Sequence, residues 1–125
     1  MHFLLLAVLL WTDPQTRLVW APSDSGAGVS RLQAQRFCEA ATYGGFRDWR
    51  LPRIEELEAI YGGDDHDGRR VKGSLKLTGW EWSSSPGEDE GESWALDFGD
   101  GGRASVAWGD SGLNRALCVR GPTAP

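Results

Sequence analysis

Asp48-Trp49-Arg50-Leu51-Pro52-Arg53-Ile54-Glu55-Glu56-Leu57-Glu58-Ala59-Ile60-Tyr61 is the stretch on which the fold turns. It reads as a loop running into a short amphipathic helix. Pro52 suits a first helical turn, where its missing N–H costs nothing. Glu55 and Glu56 lie early, where the helix dipole favours negative charge. Ile54, Leu57 and Ile60/Tyr61 recur at helical spacing and place one apolar stripe on the core. Gly62-Gly63 supplies a stop. Trp49, Leu51, Ile54 and Leu57 are therefore expected in the interior.

Toward the N-terminus, Ser30-Arg31-Leu32-Gln33 has the S-x-x-Q form of a capping box and opens a helix expected to run to about Tyr43. Val29, Leu32, Phe37, Ala40 and Ala41 cover one broad side of it, bordered by Cys38, and Gly44-Gly45 ends it. Earlier still, Asp13-Pro14-Gln15-Thr16 is turn chemistry, and Arg17 to Trp20 reads as a short strand. On the other side, Gly62 to Gly79 mixes acid, base and glycine without periodicity and reads as a long surface loop. From Trp80 onward the pattern is β. Trp94, Leu96 and Phe98 alternate with Ala95 and Asp97 over Ser93 to Phe98. Gly99-Asp100-Gly101-Gly102 is a hairpin turn, Ala104, Val106 and Trp108 alternate on the return, and Gly109 to Gly112 turns into a last strand, Arg115 to Arg120. Two helices followed by an antiparallel meander of short strands make an α+β organisation. The strand near Trp20 is expected to pair with the last one, bringing the termini close together.

The 125 residues suit one domain with a real core. Seventeen glycines and seven tryptophans point to a turn-rich fold rather than a helical bundle. A net charge of −5 argues against a general nucleic-acid partner, which needs Lys and Arg to neutralise phosphates. The apolar run Phe3 to Trp11 is too short to span a bilayer, so no transmembrane helix is expected. It suits the core of a signal peptide, although no basic residue precedes it and no Ala-x-Ala site follows. A misassigned start or a buried element of the domain are the other readings, and export is the expectation. Residues 1–12 are accordingly set apart as a signal peptide or apolar segment, 13–121 form the domain, and 122–125 are a disordered tail. Cys38 and Cys118 are too far apart for a CxxC motif. They are either two buried thiols or one disulfide, which would contribute roughly 4 kcal/mol in the chain-entropy model.

Few residues carry catalytic chemistry. His66 is the one histidine outside the N-terminal run, and no G-x-S-x-G elbow surrounds Ser83, Ser84 or Ser85, which read as locally bonded strand serines. Asp97-Phe98-Gly99 matches a kinase tripeptide by chance in a chain too short for a kinase. Asp64, Asp65, Asp67 and Gly68 offer oxygens to a hard cation, but the spacing is not that of an EF-hand, so no metal ligand and no cofactor is assigned. A binding site is the better expectation. The irregular loop contributes Asp64, Asp65, Asp67, Arg69 and Arg70 to it. Trp80 and Trp108, beside Glu81 and Asp110, add aromatic surface next to carboxylates, which suits a sugar ring. Trp20, Trp49, Trp82 and Trp94 fall on core positions.

The order of these motifs resembles the Lcl C-terminal domain family, named for the C-terminal domain of a bacterial collagen-like adhesin. Asp13 to Trp20 is similar to the family's opening D-x-x-T-G-L-x-W, with Arg17 where that pattern has Gly. There follow a helix carrying Cys38, Gly44-Gly45-Phe46-Arg47-Asp48-Trp49-Arg50-Leu51-Pro52 with Glu56-Leu57, Trp82 to Ser85, Trp94 to Gly99, and Arg115 to Arg120 around Cys118. The resemblance covers about Thr12 to Gly121. It implies a C-type-lectin-like fold, related to the formylglycine-generating enzyme and sulfatase-modifying factors, in an exported or surface-exposed bacterial protein that binds a glycan or protein rather than transforming it. In the name-giving adhesin the ligands are sulfated glycosaminoglycans. The resemblance also implies a Cys38–Cys118 disulfide of the helix-to-last-strand kind. Two alternatives accompany the binding module. One is a structural, envelope-associated domain. The other is an oxidase like the sulfatase-modifying factors, whose R-L-P-T-E-x-E-W block is similar to Leu51-Pro52 with Glu55-Glu56-Leu57 but which needs a free reactive cysteine pair. The E-P-N, Q-P-D and W-N-D signatures of calcium-dependent sugar-binding lectins are missing.

Overall fold

The computed structural model describes residues 9–123. In it the helix around Glu55 is shorter than its apolar stripe suggests: α2 is Ile54–Ala59. Its start is displaced past Pro52, because the Glu56 carboxylate reaches back to accept the Arg53 N–H at 2.7 Å and fixes Arg53 as the cap. Ser85, from a strand far along the chain, accepts the Ile54 N–H at 2.9 Å. The helix ends before Gly62-Gly63, which are not its stop. Ile60 leaves helical geometry (φ −103°, ψ 2°), and its carbonyl accepts the Lys72 N–H at 2.9 Å. Ile60 is nonetheless fully buried, as its spacing requires.

Helix α1, Arg31–Ala40, opens with the expected box: Ser30 Oγ accepts the Gln33 N–H and Gln33 Oε1 accepts the Ser30 N–H. It stops at Ala40 rather than Tyr43, and a separate 3-10 turn, Tyr43–Gly45, carries Gly44 at φ +65°. Its buried residues are Ala34 and Cys38, while Leu32 is 53% exposed. The inward side is therefore centred on Cys38, with Val29, Phe37 and Ala41 of the expected stripe packed against the same cluster and Leu32 turned out of it. Cys38 is joined to Cys118, with Cα atoms 5.4 Å apart. The disulfide ties α1 to the end of the chain.

Three sheets complete the fold. Strands β1 (Trp11–Thr12), β2 (Val19–Trp20) and β9 (Val119–Arg120) form one, in the order β1-β2-β9. Val19 pairs with Arg120, so the strand at Trp20 (β2) and the last strand meet as expected, and Thr123 donates its N–H to the Arg17 carbonyl. Residues 122–123 are thus held against the domain, and residues 1–8, with most of the apolar run, lie outside the described residues. Arg17 sits at φ +62°, the left-handed region where the family pattern has glycine.

The stretch from Tyr61 on corrects the expected long loop. It forms a hairpin of β3 (Tyr61–His66) and β4 (Arg69–Val71). Asp67 (φ +55°) and Gly68 (φ +84°) are the two central residues of its turn, a conformation that Asp-Gly favours. Gly62 and Gly63 sit in the irregular register between Tyr61 and Asp65.

The last sheet has the order β7-β6-β5-β8, with β5 Trp80–Pro86, β6 Glu92–Leu96, β7 Arg103–Ala107 and β8 Asn114–Arg115. Strands β5, β6 and β7 are the antiparallel meander, but β8 runs parallel to β5. The expected single last strand, Arg115 to Arg120, is thus divided between two sheets. The segment joining them, Ala116-Leu117-Cys118, is fully buried and separates two core clusters. Leu117 and Val119 face Trp20, Ile54, Leu57 and Phe98, while Ala116 and Cys118 face Ala34, Trp49 and Trp82. Alternation along this connecting segment and into β9 therefore serves both clusters.

Candidate functional site

The conspicuous Gly44–Pro52 block works as a clasp. Asp48 takes a two-pronged ion pair from Arg120, whose guanidinium lies 3.7 Å from the Phe46 ring centre. Trp49 is buried and donates its ring N–H to the Tyr43 carbonyl. Arg50 exchanges backbone hydrogen bonds with Val119, grips both oxygens of Glu56 at 2.8 and 2.9 Å, and reaches the Gly121 carbonyl. Burial raises the Glu56 carboxyl, but the Arg50 pair and the Arg53 N–H outweigh it and hold the group below its ordinary range. Ser83 and Ser84 donate to the Trp94 and Pro52 carbonyls and Ser85 caps α2, which is the local bonding expected of them.

The candidate binding residues fall at three separate places. Asp65 and Asp67, with His66, line a polar cavity of about 580 Å³ between the β3–β4 hairpin and the segment Ser74–Thr78. Asp65 also holds the turn, accepting the Gly68 N–H at 2.7 Å. Asp64 and Arg70 are exposed on the same hairpin, and Arg69 is half-buried opposite His66. Trp80 and Asp110 meet at a shallow depression of about 240 Å³ floored by Ala104 and Val106. Trp108 stands apart from both, 53% exposed, beside α1.

Trp108 has the most developed surroundings. Its indole N–H is fixed on Ser93 Oγ at 3.0 Å, and its backbone carbonyl accepts the Arg31 N–H at 2.9 Å. With Ser30, Arg31, Leu32 and Gln35 it lines a depression of about 440 Å³. Arg31 and Gln35 also line a second one, of about 480 Å³, that continues past Glu39 to Arg50, Arg53 and Ser84. Arg31 donates to Gln35 Oε1, and its Nε is buried with no hydrogen-bond partner among the described residues. Arg31 and Gln35 were not legible as site residues, because their only sequence signal is a polar helix face.

Glu81 does not flank an exposed ring as its place beside Trp80 suggests. Alternation along β5 turns Trp82 into one core cluster and Glu81 to the opposite side, where it is fully buried against Asp24. Neither residue is recognisable from sequence, since nothing in it signals that a strand glutamate faces inward. Among the described residues, no three His, Cys, Asp or Glu side chains gather as a set of metal ligands.

A comparison with curated proteins finds no match. A family model for the Lcl C-terminal domain matches residues 10–120. The match runs from the start of β1 to the end of β9, so it takes in the clasp, the disulfide and all three sheets. The chain belongs to the Lcl C-terminal domain family.

Proposed function

We propose that the domain is an exported, C-type-lectin-like module that binds a glycan without transforming it, in the groove between Trp108 and α1. Membership of a family named for an adhesin domain supports a surface-associated role. The joined cysteines are consistent with an oxidising, extracellular setting. Among the described residues no helix is long and apolar enough to cross a membrane. The observation that carries the reading is Trp108: a large ring more than half exposed, yet held rigid by its bond to Ser93, with Arg31 and Gln35 beside it. A rigid aromatic surface edged by a few polar groups is what a sugar ring requires. The second depression gives such a chain room to continue along α1 toward Arg53.

The non-enzymatic reading draws support from the cysteines. Both of the chain's cysteines are joined, which leaves no free thiol pair for an oxidase of the sulfatase-modifying kind. A glycan array probed with the whole domain tests the proposal. A ligand retained by the wild type and lost by at least about tenfold in both Trp108→Ala and Arg31→Gln, at unchanged melting temperature, is the expected result. Binding that survives both substitutions moves the site to the hairpin cavity or to the Trp80 depression. Absence of any glycan ligand favours the protein-binding or purely structural domain instead.

A further inference from the structure

Glu81 and Asp24 are two of the four buried acids among the described residues, with Asp13 and Glu56, and the proposed binding site uses neither. Glu81 is 0% and Asp24 6% exposed. Neither Glu81 oxygen has a hydrogen-bond partner among the described residues, and the neighbouring acid that bears on it is Asp24. A fully buried carboxyl without a donor, beside a second carboxyl that has several, is the one of the two that burial favours in the protonated form. Asp24 is the anion. Its Oδ1 accepts the Gly26 N–H at 2.9 Å and the Thr78 hydroxyl at 2.8 Å, and its Oδ2 accepts the Thr78 N–H at 2.7 Å. Those three donors suit a charged acceptor and leave Glu81 as the protonated acid.

The charged groups around the pair do not change this assignment. Arg115, from β8, and Arg69, from β4, attract the Glu81 charge from a distance, and Arg115 is itself spent on Thr78 Oγ1 and the Gly112 carbonyl. Burial and the neighbouring Asp24 outweigh them and keep the Glu81 carboxyl well above its ordinary range. Burial also raises Asp24, but its bonds from Glu81, Thr78 and Gly26 win and keep it below its own range. Tyr43, on the 3-10 turn, feels the Asp24 charge weakly.

What the pair holds gives it a role. The Asp24 backbone N–H bonds the Lys76 carbonyl, and Lys76 N–H bonds the Pro22 carbonyl, so residues 22–26 lie along residues 76–78. Lys76 and Thr78 form one wall of the 580 Å³ cavity whose other side is Asp65, His66 and Asp67. We infer that Glu81 and Asp24 form a proton-held latch: one proton shared between two buried carboxyls keeps residues 22–26 clamped to 76–78, and its loss releases that wall of the hairpin cavity. The latch is independent of the Trp108 groove.

Native-state hydrogen exchange on the whole domain, followed by NMR from pH 5 to pH 8, tests it. After correction for the intrinsic pH dependence of exchange, the Gly26 and Thr78 amides exchange through an opening of lower free energy than the one that exposes the Val119 amide, and they lose protection as pH rises. The loss is about tenfold per pH unit until the folded pair ionises, because the open form releases the proton and the closed form does not. Glu81→Gln keeps the shape and can donate an N–H to Asp24 without ionising, so its two amides hold constant relative protection. Should that variant not fold, the side-chain carboxyl carbon of Glu81 in the wild type gives the answer directly. A titration above the ordinary glutamate range, in step with the loss of protection, supports the latch. An unchanged pH dependence in Glu81→Gln, or a Glu81 that titrates in the ordinary range, overturns it.

Discussion

Glu56 and Glu81 are both buried glutamates on short elements, and the molecule holds them in opposite ways. Glu56 meets a guanidinium with matching two-pronged geometry and the Arg53 N–H, so it stays ionised even though burial opposes the charge. Glu81 has no donor among the described residues, and burial beside Asp24 holds its carboxyl well above the ordinary range. The surroundings follow the same division. Around Glu56 the chain is cross-linked by Arg50, by the Asp48–Arg120 pair and, one layer away, by the disulfide. Around Glu81 lie a loop, a polar cavity and a hairpin. A buried acid with a dedicated cation fastens until low pH protonates it, whereas one that depends on a proton lets go as pH rises.

The largest effect is expected from cutting the cross-linked side. Replacing both Cys38 and Cys118 by serine frees an 80-residue loop in the unfolded chain and should cost roughly 4 kcal/mol, measured by denaturant unfolding. The Gly26 and Thr78 amides should keep the pH dependence of their exchange, because the Glu81 proton sets it, even though Ala21 and Ser25 bond the Cys118 carbonyl and the Ala116 N–H. A change there would mean that the two regions are one cooperative unit. Next is Arg50→Ala, which strands Glu56 in the interior. Breaking a fully buried pair costs about 3–5 kcal/mol, and the 38% exposure of the Arg50 side chain lowers the expectation to about 2 kcal/mol.

The pH dependence of stability separates the two glutamates by sign. Glu56 has its folded value depressed, so its contribution is present above the ordinary carboxyl range and is lost as pH falls through the lowered value. Glu81 has its folded value raised, so its contribution is present below that range and is lost as pH rises toward the raised value. Melting curves from pH 3 to pH 9 should therefore show an acid limb that flattens in Glu56→Gln and an alkaline-side decline that flattens in Glu81→Gln. If each variant flattens the other limb, the assignment of charge is reversed.

The contrast also shows what a sequence exposes. The clasp was legible because each of its parts has a local signature: a capping box, an acidic first turn, and tryptophan and leucine at core spacing. The helix ends were not, since Arg53 is fixed as the cap by a side chain that folds back, and the Ile60 carbonyl is taken by Lys72, just past β4. The hairpin at Tyr61–Val71 did carry a signal. Asp67-Gly68 is a turn pair, but acidic and basic strands without alternation hid it. For the site, Trp108 was legible as an aromatic beside a turn, whereas Arg31 and Gln35 are two polar residues on a helix like any others. The Asp24–Glu81 contact joins residues 57 positions apart across a loop, and only the folded chain brings them together.

The smallest expected effect concerns Arg17, which turns the chain into β2 on the cross-linked side. Its φ of +62° places an arginine where glycine is at ease. A left-handed backbone costs a residue with a Cβ about 1–2 kcal/mol, and glycine gives back part of that through its freer unfolded chain. Arg17→Gly should therefore gain less than about 1 kcal/mol, seen as a slightly higher denaturant midpoint at unchanged m-value. The gain should be the same at pH 5 and pH 8, since it comes from backbone conformation. A loss of stability instead would mean that the arginine side chain contributes more at this turn than its backbone strain removes, making even this irregular position part of the fastening.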